Sequence, residues 1–91
     1  MRPTFIKTDG TCVDVMPKNG SDFSLKELQT FVGGYIEVLR LSSTQIMVCN
    51  EEGKLLPDAE PNQYASLVVR MAGYNDSVFG NVVVCDSAMV K

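Results

Sequence analysis

The residue types that perform most protein catalysis are sparse in this sequence. Histidine is absent from the 91 residues, which excludes Ser-His and Cys-His nucleophile pairs and the usual general base near neutral pH. Cys12, Cys49 and Cys85 form no Cys-x-x-Cys pair that would bind zinc or exchange disulfides, and each stands in an apolar run that predicts a small buried side chain. We therefore expect a protein that is not an enzyme and that uses no cofactor or metal.

The acidic residues are concentrated between positions 51 and 60. This segment holds four acids and one base, and the whole chain has a net charge of −3, so the surplus negative charge belongs to it. Glu51, Glu52 and Lys54 directly follow a predicted strand. Adjacent carboxylates in such a turn point to different sides and lack the further ligands that calcium needs. A solvated turn is the simplest interpretation, and a partner epitope, an acid-base cluster and a cation site are the functional alternatives.

Composition argues against two classes of partner. The basic residues outside this segment are scattered singly, whereas binding to nucleic acid requires clustered Lys and Arg. The longest apolar runs fall far short of the roughly 20 residues that cross a bilayer. The N-terminal residues carry neither an apolar run nor a small-residue cleavage site. We therefore expect a cytoplasmic protein that binds neither nucleic acid nor membranes.

A polar recognition patch is a second candidate site. Glu37 interrupts an otherwise apolar strand over residues 35–41, two positions after Tyr35. The alternation of polar and apolar residues slips in the middle of this strand, which predicts a bulge or burial on both faces. A bulge would bring Arg40 to the face that carries Tyr35 and Glu37. The alternative is an exposed strand face without a functional role.

The first half of the chain predicts a hairpin followed by a helix. Asp9-Gly10 separates two β-type runs, which is typical of a hairpin with a type I′ turn at an outer position in a sheet. Ser24 and Glu27 form a capping box at which a helix begins. Gly33-Gly34 predicts its left-handed stop. The apolar stripe of this helix consists of Leu25, Leu28, Phe31 and Val32.

The second half predicts two strands, a helix and a strand. Residues 35–41 and 45–50 are expected to pair as an antiparallel hairpin. Asn62 is a good N-cap for a second helix that ends at Gly73. The final strand, residues 78–85, is apolar enough to be central, with Gly80 at a bulge or a close backbone approach. The expected buried face of the second helix consists of Ala65, Leu67, Val68, Met71 and Ala72.

These elements predict one α+β domain over residues 1–91, in the order β-β-α-β-β-α-β. It has a five-stranded mixed or antiparallel sheet and two helices largely on one face. The strands at 45–50 and 78–85 are apolar on both faces, so the uncovered face predicts a homodimer or a tight complex with another protein. Candidates for that face are Met47, Cys49, Phe79 and Val83.

Two motifs place the chain beside known proteins. They are Gly-Gly-Tyr-Ile-Glu at 33–37 and Asn-Glu-Glu-Gly-Lys-Leu at 50–55. With their flanking residues, over about residues 24–85, they resemble a family of small proteins of unknown function encoded by phages, prophages and plasmids. The resemblance implies no activity. It implies a setting, that of a mobile-element accessory protein inside a bacterium, where small proteins often antagonise a host defence system by binding.

Two functions remain. We favour stoichiometric binding that occludes a host protein through an exposed sheet edge or the acidic segment, because this needs no catalyst. The alternative is an oligomer that captures or cleaves a small nucleotide-like ligand, which requires basic groups such as Arg40, Lys54 and Arg70 to converge. The expected binding residues are Tyr35, Glu37, Arg40, Asn50, Glu51, Glu52 and Lys54.

Overall fold

Backbone pairing joins five strands into one antiparallel sheet. The computed structural model describes residues 2–90. In chain order the elements are β1 Thr4–Ile6, β2 Cys12–Asp14, α1 Leu25–Val32, β3 Ile36–Arg40, β4 Gln45–Asn50, α2 Gln63–Met71 and β5 Val82–Asp86, with 3₁₀ turns at Gly53–Leu55 and Ser87–Met89. The strand order β2-β1-β5-β4-β3 places β5 at the centre and leaves β2 and β3 as edges. The predicted α+β class, element order and central final strand are confirmed.

None of the helices within residues 2–90 is long and apolar enough to span a bilayer.

The two helices lie on opposite faces of the sheet. Met47 of β4 packs in one core with Val69 of α2, whereas its neighbour Val48 packs in a second core with Leu28 of α1. The prediction that both helices lie largely on one face is wrong. A strand that is apolar on successive residues buries both of its faces, and each face needs its own cover.

This arrangement removes the reason for expecting a homodimer. Met47, Cys49 and Val83, which were expected on an uncovered face, are buried in the two cores, and Phe79 is half-buried. Within residues 2–90, each sheet face carries a helix. The homodimer therefore stays a prediction, but the uncovered apolar sheet face on which it depends is absent from the described residues.

The β1–β2 hairpin is confirmed, but its turn differs from the predicted one. Gly10 has a φ of 92°, whereas Asp9 has no positive φ, and a type I′ turn requires positive φ at both central residues. Instead the Gly10 N–H donates to the Lys7 carbonyl at 3.0 Å, and the Asp9 carboxylate accepts from the Thr11 N–H at 2.8 Å. The edge strand β2 is exposed throughout, so the prediction that Cys12 is buried is wrong.

Helix α1 begins and ends where the sequence predicts. The Ser24 hydroxyl accepts from the Glu27 N–H at 3.1 Å, and the Glu27 carboxylate accepts from the Ser24 N–H at 2.9 Å. Gly33 is the left-handed residue, with a φ of 82°. Gly34 suits its position for a different reason: a Cβ there would lie 2.9 Å from the side-chain Nδ2 of Asn50, so a larger residue would have to displace this buried side chain.

Helix α2 has the predicted cap but a different buried face. The Asn62 side chain accepts from a backbone N–H of the first turn at 3.0 Å. Leu67 and Met71 are 53% and 81% exposed, so their predicted burial is wrong. The polar Ser66 takes a core position instead, and its hydroxyl accepts from the Val78 N–H at 2.8 Å. The buried residues of α2 are Ala65, Ser66 and Val69.

The β3–β4 pair is regular. Its register runs without interruption from Ile36 opposite Asn50 to Arg40 opposite Ile46, so the predicted bulge is absent. Because alternate residues of a strand point to opposite faces, Arg40 lies on the face opposite Glu37. The predicted recognition patch, which needed a bulge to bring Arg40 across, is therefore not formed.

Candidate functional site

A groove of about 290 Å³ lies on the α2 side of the sheet, beside β3 and the end of β4. We call it the acidic groove, because its charged lining consists of Glu37, Glu51, Asp76 and Lys54. Its apolar and aromatic lining consists of Leu39, Cys49, Leu55, Val69, Tyr74, Val78 and Phe79. The groove thus combines three carboxylates and one amine with a largely apolar floor.

Three backbone segments carry the charged side chains of the groove, and Val69 of α2 adds to its apolar lining. Glu37 projects from β3, and Glu51 follows β4 at the start of the turn that carries Lys54. Residues 74–79, between α2 and β5, supply the opposite wall. Gly53 allows the turn to pack against this wall, since a Cβ there would lie 2.8 Å from the Phe79 carbonyl oxygen.

The charges in the groove are unevenly balanced. Lys54 donates to the Asp76 carboxylate and forms an ion pair with it. This hydrogen bond, followed by one from the Ser77 N–H at 2.8 Å, lowers the pKa of Asp76. Glu37 and Glu51 form no ion pair within residues 2–90. The groove therefore carries two negative charges that no neighbouring cation neutralises.

Cys49 lies in the groove wall but is not a nucleophile. Its thiol donates weakly to the backbone carbonyl and the carboxylate of Glu37, with sulfur-to-oxygen distances of 3.7 and 3.9 Å. Burial, and secondly the charge of Glu37, raise the pKa of this thiol to about 12. Since the thiolate is the reactive form, Cys49 stays protonated and unreactive near neutral pH.

Asn50 borders the groove and holds its backbone in place. Its side chain donates to the Val32 carbonyl at 3.2 Å and accepts from the Glu52 N–H at 2.8 Å. The neighbouring Glu51 N–H donates to the Tyr35 carbonyl at 2.9 Å. Asn50, which the sequence predicts as a binding residue, thus ties the end of α1 to the turn after β4.

The predicted site residues divide into two groups. The groove contains Glu37, Asn50, Glu51 and Lys54 among its lining residues. Tyr35 and Glu52 are exposed outside the lining. Arg40 also lies outside it, and its guanidinium donates to the carbonyls of the turn at residues 42–43.

The three cations of the ligand-capture hypothesis make separate contacts. Lys54 pairs with Asp76, Arg70 donates to the Ser77 hydroxyl at 3.1 Å, and Arg40 contacts the turn after β3. Each is engaged in its own contact, and only Lys54 of the three lines the groove. The carboxylates make no metal cluster either, since the part of the chain described holds no group of three or more Cys, Asp or Glu residues placed to bind an ion.

Sequence reasoning missed the opposite wall of the groove. Tyr74 and Asp76 follow α2 in a segment without periodic pattern, and nothing in the sequence predicts that it returns to β3. Phe79 falls in the predicted final strand 78–85, but β5 begins only at Val82, so Phe79 belongs to this wall instead. The one local signal is Asp76 followed by Ser77, a pair that is typical of a turn.

The fold and the groove together define a small α+β domain with an acidic groove on one face of its sheet. Residues 4–89 match the domain of unknown function DUF3846, and the chain belongs to this family. The match extends on both sides of the predicted region 24–85. The family carries no assigned activity. No curated protein and no solved structure matches the chain.

Proposed function

We propose that this protein is a non-enzymatic binding domain that attaches to a bacterial host protein and blocks it by occupying its surface. The contact centre is the acidic groove. The observation that carries the proposal is the pair of carboxylates, Glu37 and Glu51, that stand without an ion pair in the described chain beside an apolar floor.

The chemistry of the groove favours a basic partner surface. A Lys or Arg side chain of the partner can lay its carbon stem on Leu39 and Phe79 while its charge meets Glu37 or Glu51. Such contacts are partly screened by salt, with a Debye length of about 8 Å at physiological ionic strength. Binding should therefore weaken as salt concentration rises.

The groove needs surrounding surface to make a stable complex. A specific interface covers about 800 Å² on each partner, and the described chain exposes 5558 Å² in total. Tyr35, which is 68% exposed, and Leu55, which is 80% exposed, stand near the acidic residues and offer apolar area. Leu55 adds apolar area at the groove itself, and Tyr35 extends the contact beyond it.

The motifs at 33–37 and 50–55 support the biological setting of the proposal. They resemble accessory proteins encoded by phages, prophages and plasmids, and the proposal places this protein with them inside the bacterial cell. In that setting, a stoichiometric inhibitor of a host defence protein needs no catalytic group. The unreactive Cys49 in the groove is consistent with binding rather than chemistry.

Quantitative capture from bacterial lysate tests the proposal. The test variant combines Glu37→Gln and Glu51→Gln, and the matched control combines Asp58→Asn and Glu60→Gln, which remove the same charge outside the acidic groove. Mass spectrometry of the captured proteins compares both with the wild type, with the tag at either end. We expect one host protein to be retained by wild type and control and to fall by about tenfold with the test variant. Equal retention by both variants, or the absence of any enriched protein with either tag, would refute the proposal.

A further inference from the structure

We infer that the free edge of β3 accepts an extended, basic segment of the partner protein as an additional strand, next to the acidic groove. This inference rests on the proposed function and specifies the kind of partner segment that the site takes. Strand addition of this type gains affinity from backbone hydrogen bonds and specificity from alternate side chains.

The backbone of β3 has a defined set of outward groups. The Glu51 N–H donates to the Tyr35 carbonyl, and the Leu41 N–H donates to the Gln45 carbonyl, both at 2.9 Å. In an antiparallel pair, hydrogen-bonded residues alternate with residues that direct both backbone groups away. The backbone N–H and carbonyl groups that point outward therefore belong to Ile36, Val38 and Arg40.

One outward group already has a partner. The Tyr74 hydroxyl donates to the Arg40 carbonyl at 2.9 Å. This contact agrees with a backbone carbonyl of Arg40 that points away from β4. The remaining outward groups along β3 are three N–H groups, those of Ile36, Val38 and Arg40, and two carbonyls, those of Ile36 and Val38. Within residues 2–90 they have no hydrogen-bond partner in the fold.

The two edges of the sheet differ in their protection. Native proteins blunt edge strands by keeping them very short or by placing charges, proline or bulges on them. β2 spans only three residues, and Asp14 at its end pairs with Arg2. β3 spans five residues in continuous register without proline or bulge. It carries two charges of opposite sign, Glu37 and Arg40, but Val38 between them is apolar and 47% exposed. β3 is therefore the edge at which another strand can add.

The charges on β3 disfavour a second copy as the occupant. Two copies of β3 could pair antiparallel in three central registers. With Val38 opposite Val38 the two Glu37 side chains lie diagonally, and with Val38 opposite Ile36 they lie directly opposite each other. With Val38 opposite Arg40 the two Arg40 side chains lie diagonally. Facing and diagonal residues interact across strands, and like charges there are destabilising. Two copies would also bring two acidic grooves to one face.

A basic partner segment removes this conflict. In an added strand, the side chain opposite Glu37 lies on the α2 face, where the acidic groove begins. A Lys or Arg at that position meets the carboxylate of Glu37, and an apolar residue next to it covers Val38 on the other face. The favoured segment thus alternates basic and apolar residues.

Hydrogen exchange with a synthetic peptide tests the inference. The probe is the capped peptide Thr-Val-Lys-Val-Lys-Val-Lys-Val-Thr, and its charge control carries Glu in place of each Lys. A third peptide has the Lys sequence with N-methylated valines and lysines, so that it can place lysines in the groove but cannot form a backbone ladder. Amide exchange at Ile36, Val38 and Arg40 is followed by NMR on the full chain.

A matched pair of variants isolates the edge. Val38→Pro removes an outward N–H and no ladder bond to β4, which is the position at which edge strands tolerate proline. Val38→Thr keeps that N–H. We expect the Lys peptide to slow exchange of the three amides by about tenfold or more in wild type and Val38→Thr, and to lose this effect in Val38→Pro. Protection in the wild type is decisive by itself if Val38→Pro does not fold.

The other outcomes overturn the inference in distinguishable ways. Equal protection by the Glu peptide contradicts the basic segment, and protection that rises with protein concentration alone identifies a second copy as the occupant. Equal binding of the N-methylated peptide, without amide protection, refutes strand addition and leaves the acidic groove as the binding site. Absence of binding by all Lys peptides at millimolar concentration removes strand addition and counts against the groove as well.

Discussion

A single buried amide connects three parts of the fold. Asn62 caps α2, and its side chain also donates to the Ile6 carbonyl at 3.1 Å and to the Gly80 carbonyl at 2.9 Å. The cap could be predicted from the sequence because Asn followed by a helical pattern is a local signal. The two other bonds could not, because they depend on β1 and the segment before β5 meeting at the helix terminus.

We expect Asn62→Ala to lower the free energy of unfolding by about 2–4 kcal/mol, since it removes a cap and two further hydrogen bonds that the buried amide donates to backbone carbonyls. Urea denaturation measures the loss. Gln63→Ala, at the exposed next position, is the control and should change stability by less than about 0.5 kcal/mol. An equal midpoint for Asn62→Ala and wild type would show that Asn62 does not hold these elements together.

The cysteines differ in exposure in a way that composition alone does not predict. Cys12 is exposed on edge strand β2, whereas Cys49 and Cys85 are buried. Burial, with smaller contributions from Glu37 and Asp86 respectively, raises the pKa of Cys49 to about 12 and that of Cys85 to about 11.

Iodoacetamide near neutral pH should therefore alkylate the folded protein at Cys12 alone, because the other two thiols are protonated and covered. Mass spectrometry of the intact chain and its peptides counts and locates the label. Cys12→Ser should take up none on the same timescale, while denatured protein should react at every cysteine. Rapid labelling of native Cys49 would mean that the wall of the acidic groove is open to reagent.

At the scale of elements, the start of α1 is the part best predicted from sequence. The capping box is a short pattern whose hydrogen bonds lie within one turn. The structure adds one bond from outside it, since the Glu27 carboxylate also accepts from the Lys18 N–H at 2.9 Å. Hydrogen bonds from the Ser24 and Lys18 backbones lower the pKa of Glu27.

This lowered pKa predicts an acid-dependent loss of stability. The contribution of Glu27 is present above the unfolded-state pKa, about 4.3 for Glu, and is lost as pH falls through the lower folded-state pKa. Urea midpoints measured from about pH 6 to about pH 3 should fall more steeply for wild type than for Glu27→Gln. The control Glu60→Gln should follow the wild type. Parallel pH profiles for Glu27→Gln and wild type would contradict the role of the box.

The roles of the two glycines that end α1, and the buried face of α2, could not be predicted from the sequence. Two adjacent glycines predict a helix stop, but the sequence does not say that Gly33 takes the left-handed conformation while Gly34 makes room for Asn50. In α2, the hydrophobic pattern favours Leu67 and Met71 as core residues, yet Ser66 occupies the core because Val78 supplies its hydrogen bonds. Long-range partners decided both cases.

At the scale of the whole molecule, the element order followed from local patterns, but the layers did not. The sequence predicts the apolar residues on both faces of β4 and β5, whereas the placement of one helix on each face depends on how the connections cross the sheet. The acidic groove has the same origin. Glu37, Glu51 and Asp76 come from three separate segments, and only the folded chain brings them together.

Site-specific photo-cross-linking in bacterial cells tests whether the acidic groove is the surface that contacts the partner. A benzoylphenylalanine replaces Leu55, which is 80% exposed at the groove, or Leu25, which is 58% exposed on α1 across the sheet. If the groove makes this contact, we expect a cross-link to one bacterial protein from position 55, none to that protein from position 25, and loss of the cross-link when Glu37→Gln and Glu51→Gln are combined. A cross-link from position 25 alone, or one from position 55 that survives loss of both carboxylates, would contradict it.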